Sequence, residues 1–356
     1  MNQAKPLDAR PARRHRVEAD FLAAQRMMEE RGWTDGLPVI PPTEALVEEM
    51  LATTPLAPDT LLGLMEPVRG AVTLEKVAAN AVMAGCRADY FPVVVAAVKA
   101  VLQPQFHVGS SACTTGGAAP VVIVSGPLAA KLGINAGTAC FGGNVKANAT
   151  IGRALRLTMR NLGGAKPDGM EKSTHAWPAK ISMCFAENEA ESPWDPLRTD
   201  HGFALATTSV SVLAARGLYP LTEGVQETGT GVLETIAAGM RMVGAPVYYQ
   251  KNIPVIVCLS PEHANEISKA GYSKADVRKY LFENCRLPAG ILRGRGYFGP
   301  GCWPAWIDEN DDAALVPIVS TADHLWVVVA GGAGRHSAWM PAWNVCEGAI
   351  EAVLAA

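Results

Sequence analysis

The 356-residue sequence has no surplus of charge of one sign: 31 Lys and Arg face 34 Asp and Glu, leaving a formal −3. Without a basic surplus there is no general electrostatic attraction to nucleic acid or to an anionic membrane surface. Apolar runs of the roughly 18 residues that a membrane span needs are also lacking; the run 93–102 is broken by Lys99 and reads as a buried helix. The eight cysteines contain no C-x-x-C pair, which indicates neither a zinc knuckle nor a secreted disulfide scaffold. H-E-x-x-H is missing, so no metal ligands are assigned. G-x-G-x-x-G is missing too, so no dinucleotide is inferred and any cofactor is left open. Arg13-Arg14 is followed by charged residues where an export signal needs an apolar stretch, and the expectation is a cytoplasmic protein without nucleic-acid or membrane partners.

What is present is a repeated strand, turn and helix grammar. Pro120-Val121-Val122-Ile123-Val124 is a β-branched run that stops at Ser125-Gly126-Pro127 and passes into helix-compatible residues. The segment 254–261 echoes it, and 324–337 gives a third strand and turn. These units predict an α/β protein with a duplicated, sheet-centred architecture, two similar lobes and an N-terminal helical arm. The expected divisions are an arm and cover over 1–60, a first α/β lobe over 61–195 and a second over 196–356, with Pro193-Trp194-Asp195-Pro196 at the join. Helices are expected over 17–31, over 44–51 behind a Thr43 cap, over 73–86, 89–102 and 231–243, and from about 148 to 162. A strand is expected over 180–186, and Ser273-Lys274-Ala275-Asp276 reads as a structural helix cap. The apolar content and the arm predict a homo-oligomer.

Candidate chemistry gathers at three places. The first is 106–117, where hydroxyl, thiol and imidazole groups crowd a loop before the Pro120 strand; Cys113 is the candidate nucleophile and His107 its base, because an imidazole lowers a thiol's pKa. The second is the Gly-rich loop feeding the helix near 148. There Asn144, Lys146, Asn148 and Arg153 would hold an anion at a helix N-terminus, or else the arginines of that helix are a solvated face. The third lies at strand ends: Glu187 and Glu189 as acid–base groups, and Gly332, Gly334, Arg335, His336 and Ser337, with His263, at the mouth of a site beyond the strands' carboxyl ends. His336 is the alternative base.

Four segments together carry a resemblance: Asp35-Gly36-Leu37-Pro38-Val39-Ile40-Pro41-Pro42, Asn148-Ala149-Thr150-Ile151-Gly152-Arg153-Ala154, Ala186-Glu187-Asn188-Glu189 with Ser192-Pro193-Trp194, and Gly331-Gly332-Ala333-Gly334-Arg335-His336-Ser337-Ala338. The chain resembles a poorly characterised bacterial family associated with UGSC thiol or selenol proteins, as a companion rather than as the UGSC protein itself. It has no U-G-S-C or C-G-S-C segment of its own, and Val108-Gly109-Ser110-Ser111-Ala112-Cys113 departs from that pattern. The resemblance implies thiol chemistry shared with a thiol or selenol partner subunit. The leading expectation is an enzyme acting on a small anionic organic substrate by cysteine-based covalent or acid–base chemistry, a lyase or a C–N or C–S bond-cleaving reaction. The alternatives are a non-catalytic or co-catalytic subunit and a metal-dependent hydrolase using His107, His175 or Glu187.

Overall fold

The computed structural model describes residues 12–17, 20–142, 145–167, 169–244, 252–343 and 345–354. Lys5 and Arg10 of the basic tail lie outside them. The chain begins with α1 (Phe21–Glu30), α2 (Glu44–Leu51), β1 (Leu61–Met65), β2 (Gly70–Thr73), α3 (Leu74–Ala84), α4 (Phe91–Leu102) and α5 (Val108–Cys113). It continues through β3 (Ala119–Ser125), α6 (Pro127–Lys131), α7 (Lys146–Gly163), β4 (Cys184–Ala186), α8 (Leu197–Asp200), β5 (Ser209–Ala215) and β6 (Tyr219–Thr222). The rest is α9 (Gly229–Met240), β7 (Val255–Leu259), α10 (Pro261–Lys269), α11 (Lys274–Asn284), β8 (Arg286–Pro288), α12 (Ala289–Leu292), β9 (Leu315–Pro317), β10 (Leu325–Val329), β11 (His336–Pro341) and β12 (Ala349–Ala352).

The protein is α/β, built on two four-stranded sheets with the same internal relations. The first runs β4-β3-β5-β12 and the second β10-β7-β11-β6. In each, the central strand has a parallel neighbour on one side (β4 on β3, β10 on β7) and an antiparallel one on the other (β5, β11), which in turn takes an antiparallel edge strand. The edge strands are exchanged along the chain: β6 follows β5 yet pairs with β11, and β12 follows β11 yet pairs with β5. Where the two paths cross, Ala215 and Ala342 form an antiparallel bridge, Arg216 N donates to Pro341 O at 2.9 Å and Trp343 N to Ala214 O at 2.6 Å.

Strand alternation distributes the core. One face of the second sheet, with Ile256, Cys258, Trp326, Val328 and Met340, joins the first sheet and α3, α4 and α7 in a single apolar cluster. The opposite face, with Val255, Val257, Leu259, Val327 and Trp339, packs with α9, α10 and α11 in another. α4 is apolar all round and almost wholly buried, as its Val-Val-Val-Ala-Ala-Val run requires. No single helix among the described residues is long and apolar enough to cross a membrane; α4 and its continuation to Cys113, bent by 75°, reach that length only together.

The arm is tied down at Arg14, whose guanidinium pairs with Glu44 and Glu75 at 2.6 Å each. Two expected elements differ. The loop 106–117 contains α5, a helix of small residues that pattern alone does not separate from a loop. The strand expected over 180–186 is confined to Cys184–Ala186, because Pro178 opens a 3-10 turn through Lys180.

Candidate functional site

Cys113 ends α5, and the chain turns there because Thr114 is extended and its Oγ1 accepts from Gly116 N at 2.9 Å. His107 caps the other end of the same helix with a left-handed backbone, φ 53°. Six residues of helix separate the two by about 9 Å along the axis, and the imidazole is exposed. The structure does not bring His107 to Cys113.

What surrounds Cys113 instead is charge from two other segments. The chain 171–180 lies beside the Cys113 turn, with Thr174 N donating to Thr115 O at 2.9 Å and Ser173 Oγ to Thr114 O at 3.4 Å. It carries Glu171, hydrogen-bonded by Ser173, and Lys180, whose Nζ donates to Glu171 Oε2 at 2.6 Å. From α7 comes Arg156, only 8% exposed, with Nε on Lys180 O at 2.9 Å, Nη1 3.8 Å from Met159 Sδ and Nη2 4.0 Å from Glu171 Oε2. One turn further on, Arg160 has its Nε buried without a partner. Glu66 reaches α5 from the β1–β2 turn; a Cβ on Gly109 would stand 2.5 Å from its Oε2, so a larger residue would push that side chain aside.

Burial dominates the electrostatics here. It raises the Cys113 thiol above its ordinary value, with Glu171 adding to the rise and Lys180 and Lys172 opposing it. It lowers Lys180, helped by Arg156, against the pull of Glu171. It lowers Arg156 to about 10. For Glu171 burial pushes upward, but the hydrogen bonds from Lys180 and Ser173 outweigh it and the carboxyl lies below its ordinary value. A guanidinium removed from water without close carboxylate partners is costly, and a bound anion would offset that cost.

The other sequence candidates lie elsewhere, and most have their polar atoms engaged. Asn144 is outside the described residues. Arg153 forms a fork with Asp35, Nε to Oδ2 at 2.8 Å and Nη2 to Oδ1 at 2.7 Å, and also holds Pro38 O. Asn148 accepts from Asn135 N and donates to Asn135 O and Cys140 O, closing the Gly-rich loop on α7. Lys146 lines a cavity of about 800 Å³ between α2, α3 and α7, together with Met50, Val82, Cys86 and Thr150. That cavity is mostly apolar, and its one thiol, Cys86, is hydrogen-bonded to Thr150 O and pushed up to about 12 by burial.

At the strands' carboxyl ends the space is filled. Glu187 is buried, accepting from Ser125 Oγ at 2.7 Å and Leu197 N at 3.0 Å, and burial raises it to about 7. Glu189 is held in a fork by Arg198, at 2.5 and 2.9 Å, and accepts from Gly126 N. Asn188 bridges to the second sheet through Val329 O and Gly331 O. Arg335 is spent on Glu223 O and Gln226 O, and exposed His336 contacts Thr222 Oγ1. A Cβ on Gly332 would fall 2.1 Å from Thr138 Oγ1, and Gly334 N donates to Glu262. Ser337 Oγ is 2.7 Å from His263 Nδ1, whose Nε2 contacts Glu223 O at 3.0 Å. Both residues are buried, so this pair locks α10, β11 and the β6 end together. Cys113 and Glu187 lie at opposite ends of β3, roughly 20 Å apart by strand rise, so the expected pairing of Cys113 with Glu187, Glu189 or His336 does not arise.

Arg156, Arg160 and Glu171 were not singled out by pattern. Arg156 shares the helix face of Gly152, whose Cβ would meet Ser182 Oγ at 2.4 Å, so that face is buried, which the sequence alone does not show. Among the described residues no three His, Cys, Asp or Glu side chains converge to hold a metal. Comparison with protein-family models and with curated proteins finds no match for the chain.

Proposed function

We propose that the protein is an enzyme acting on a small anionic organic substrate by cysteine-based covalent or acid–base chemistry, a lyase or C–N or C–S bond-cleaving reaction. The reading is carried by Arg156, a buried guanidinium whose nearest carboxylate is 4.0 Å away and already paired with Lys180 at 2.6 Å. In this reading Arg156 and Arg160 hold the substrate's anion, Cys113 supplies the thiol and Lys180 moves the proton. The Cys113 S–H proton passes to the hydrogen-bonded Lys180–Glu171 pair, the thiolate bonds to substrate carbon, and the departing nitrogen or sulfur takes the proton back. Burial, which disfavours the thiolate, supports a thiol that stays protonated until substrate arrives.

The reading is tested by alkylating the native protein with iodoacetate and with iodoacetamide and mapping the products by mass spectrometry. Cys302, an exposed free thiol, is the internal reference. The iodoacetate-to-iodoacetamide ratio at Cys113 is expected to exceed that at Cys302 by about tenfold, and to fall in Arg156→Gln. Equal ratios at the two thiols would remove the anion clamp. One observation favours a second reading: burial raises the Cys113 thiol, as suits a companion subunit whose reactive thiol or selenol belongs to a partner, which the family resemblance supports. Turnover only in the mixture with such a partner would distinguish it.

A further inference from the structure

The charge around Cys113 is unbalanced among the described residues. Arg160 acts on both Arg156 and Lys166, and Lys172 and Lys180 both act on Cys113, so five cations form one connected group. Among the described residues Glu171, Glu66 and Asp35 act on the group from the acidic side, and of these Glu171 is taken by Lys180 and Asp35 by Arg153. Among the described residues Lys166 has no carboxylate partner: its Nζ donates to Gly32 O at 2.7 Å, and burial with Arg160 lowers its pKa. This surplus stands in a chain whose overall balance is −3.

Resting on the reading of this cluster as an anion site, we infer that the group it takes is a phosphate-class dianion rather than a single carboxylate. Two guanidinium groups one helical turn apart present forked donors to several oxygens of a tetrahedral ion, and Lys166 and Lys172 match a second negative charge. One carboxylate would leave most of these cations uncompensated. No bond is made or broken in this step; it concerns which substrate can be held.

Isothermal titration of the full-length protein with sulfate, inorganic phosphate and acetate tests the inference. Sulfate and phosphate are expected to bind at least about tenfold more tightly than acetate. Phosphate affinity should rise from pH 6 to pH 8 as its second proton leaves, while sulfate affinity stays level. Arg156 also supports Lys180, so the exposed Lys172 supplies the milder variant: Lys172→Gln should weaken phosphate several-fold and leave acetate unchanged. Acetate binding as tightly as phosphate would overturn the dianion and leave the anion site standing. No binding of any of the three ions, with equal alkylation ratios at Cys113 and Cys302, would overturn both.

Discussion

Glu187 is enclosed between β3, β4 and α8, and its environment makes a sign that can be checked. Its folded pKa, raised to about 7 by burial, lies above the ordinary glutamate value. Between roughly pH 4.3 and 7 the folded state therefore binds one more proton than the unfolded state, so this contribution is full below that window and lost as pH rises through it. The loss is of order 3 kcal/mol across the window. Carboxyls that lie below their ordinary values, such as Glu171 and Asp35, act in the opposite sense but at lower pH. Urea unfolding of the wild type and Glu187→Gln at pH 5, 6, 7 and 8 should show the wild type losing ground by about 1 kcal/mol per pH unit up to 7, then levelling. A constant difference across that range would show that the carboxyl is not held protonated. At this scale sequence reading identified residue types better than their uses. Arg153, Arg335 and Glu189 were legible as charged groups near turns, but a string of residues does not show that Asp35, the Glu223 carbonyl and Arg198 already occupy them. Cys113 was legible for the polarity of its neighbours; Arg156 was not, because an arginine between apolar helix positions looks the same whether solvated or buried.

Elements were more legible where local chemistry decides them. The Ser273 cap is present with both bonds of a capping box, Ser273 Oγ receiving Asp276 N and Asp276 Oδ2 receiving Ser273 N. Ser273→Ala is expected to cost about 1 kcal/mol in chemical denaturation. The β-branched runs 120–124 and 254–259 became β3 and β7, the two central strands. β11 was hidden because Arg335-His336-Ser337 resembles a site, while its strand character comes from pairing with β7 and β6. α7 gives the sharper test. A glycine inside a helix usually costs up to about 1 kcal/mol against alanine, so Gly152→Ala would ordinarily stabilise. Here the new Cβ would stand 2.4 Å from Ser182 Oγ and 2.9 Å from Met183 N, and backbone must shift. The expected result is a loss of about 1–3 kcal/mol; a gain in melting temperature would show that α7 and the 182–183 segment are not in close contact.

At the scale of the whole molecule, the exchange of edge strands was beyond sequence reading. The echo between 120–127 and 254–261 is a local signal, whereas the partner of a strand depends on where the chain goes afterwards. Division at residue 195 places β3 and β4 in one piece and β5 and β12, which complete their sheet, in the other. A fragment of residues 1–195 would carry β3, buried at every position and apolar up to Ser125, with the edge that β5 covers over seven paired residues left open. Such an edge templates aggregation. The fragment 196–356 would retain all four strands of the second sheet, yet one face of that sheet shares its core with the first. Expressed alone, the first fragment is expected in the insoluble fraction. Expressed with 196–356, it should appear in a soluble complex that elutes as one species and unfolds in one cooperative transition. If 1–195 alone were monomeric and unfolded cooperatively, β5 and β12 would not be needed to complete its sheet, and the exchange would be dispensable for folding.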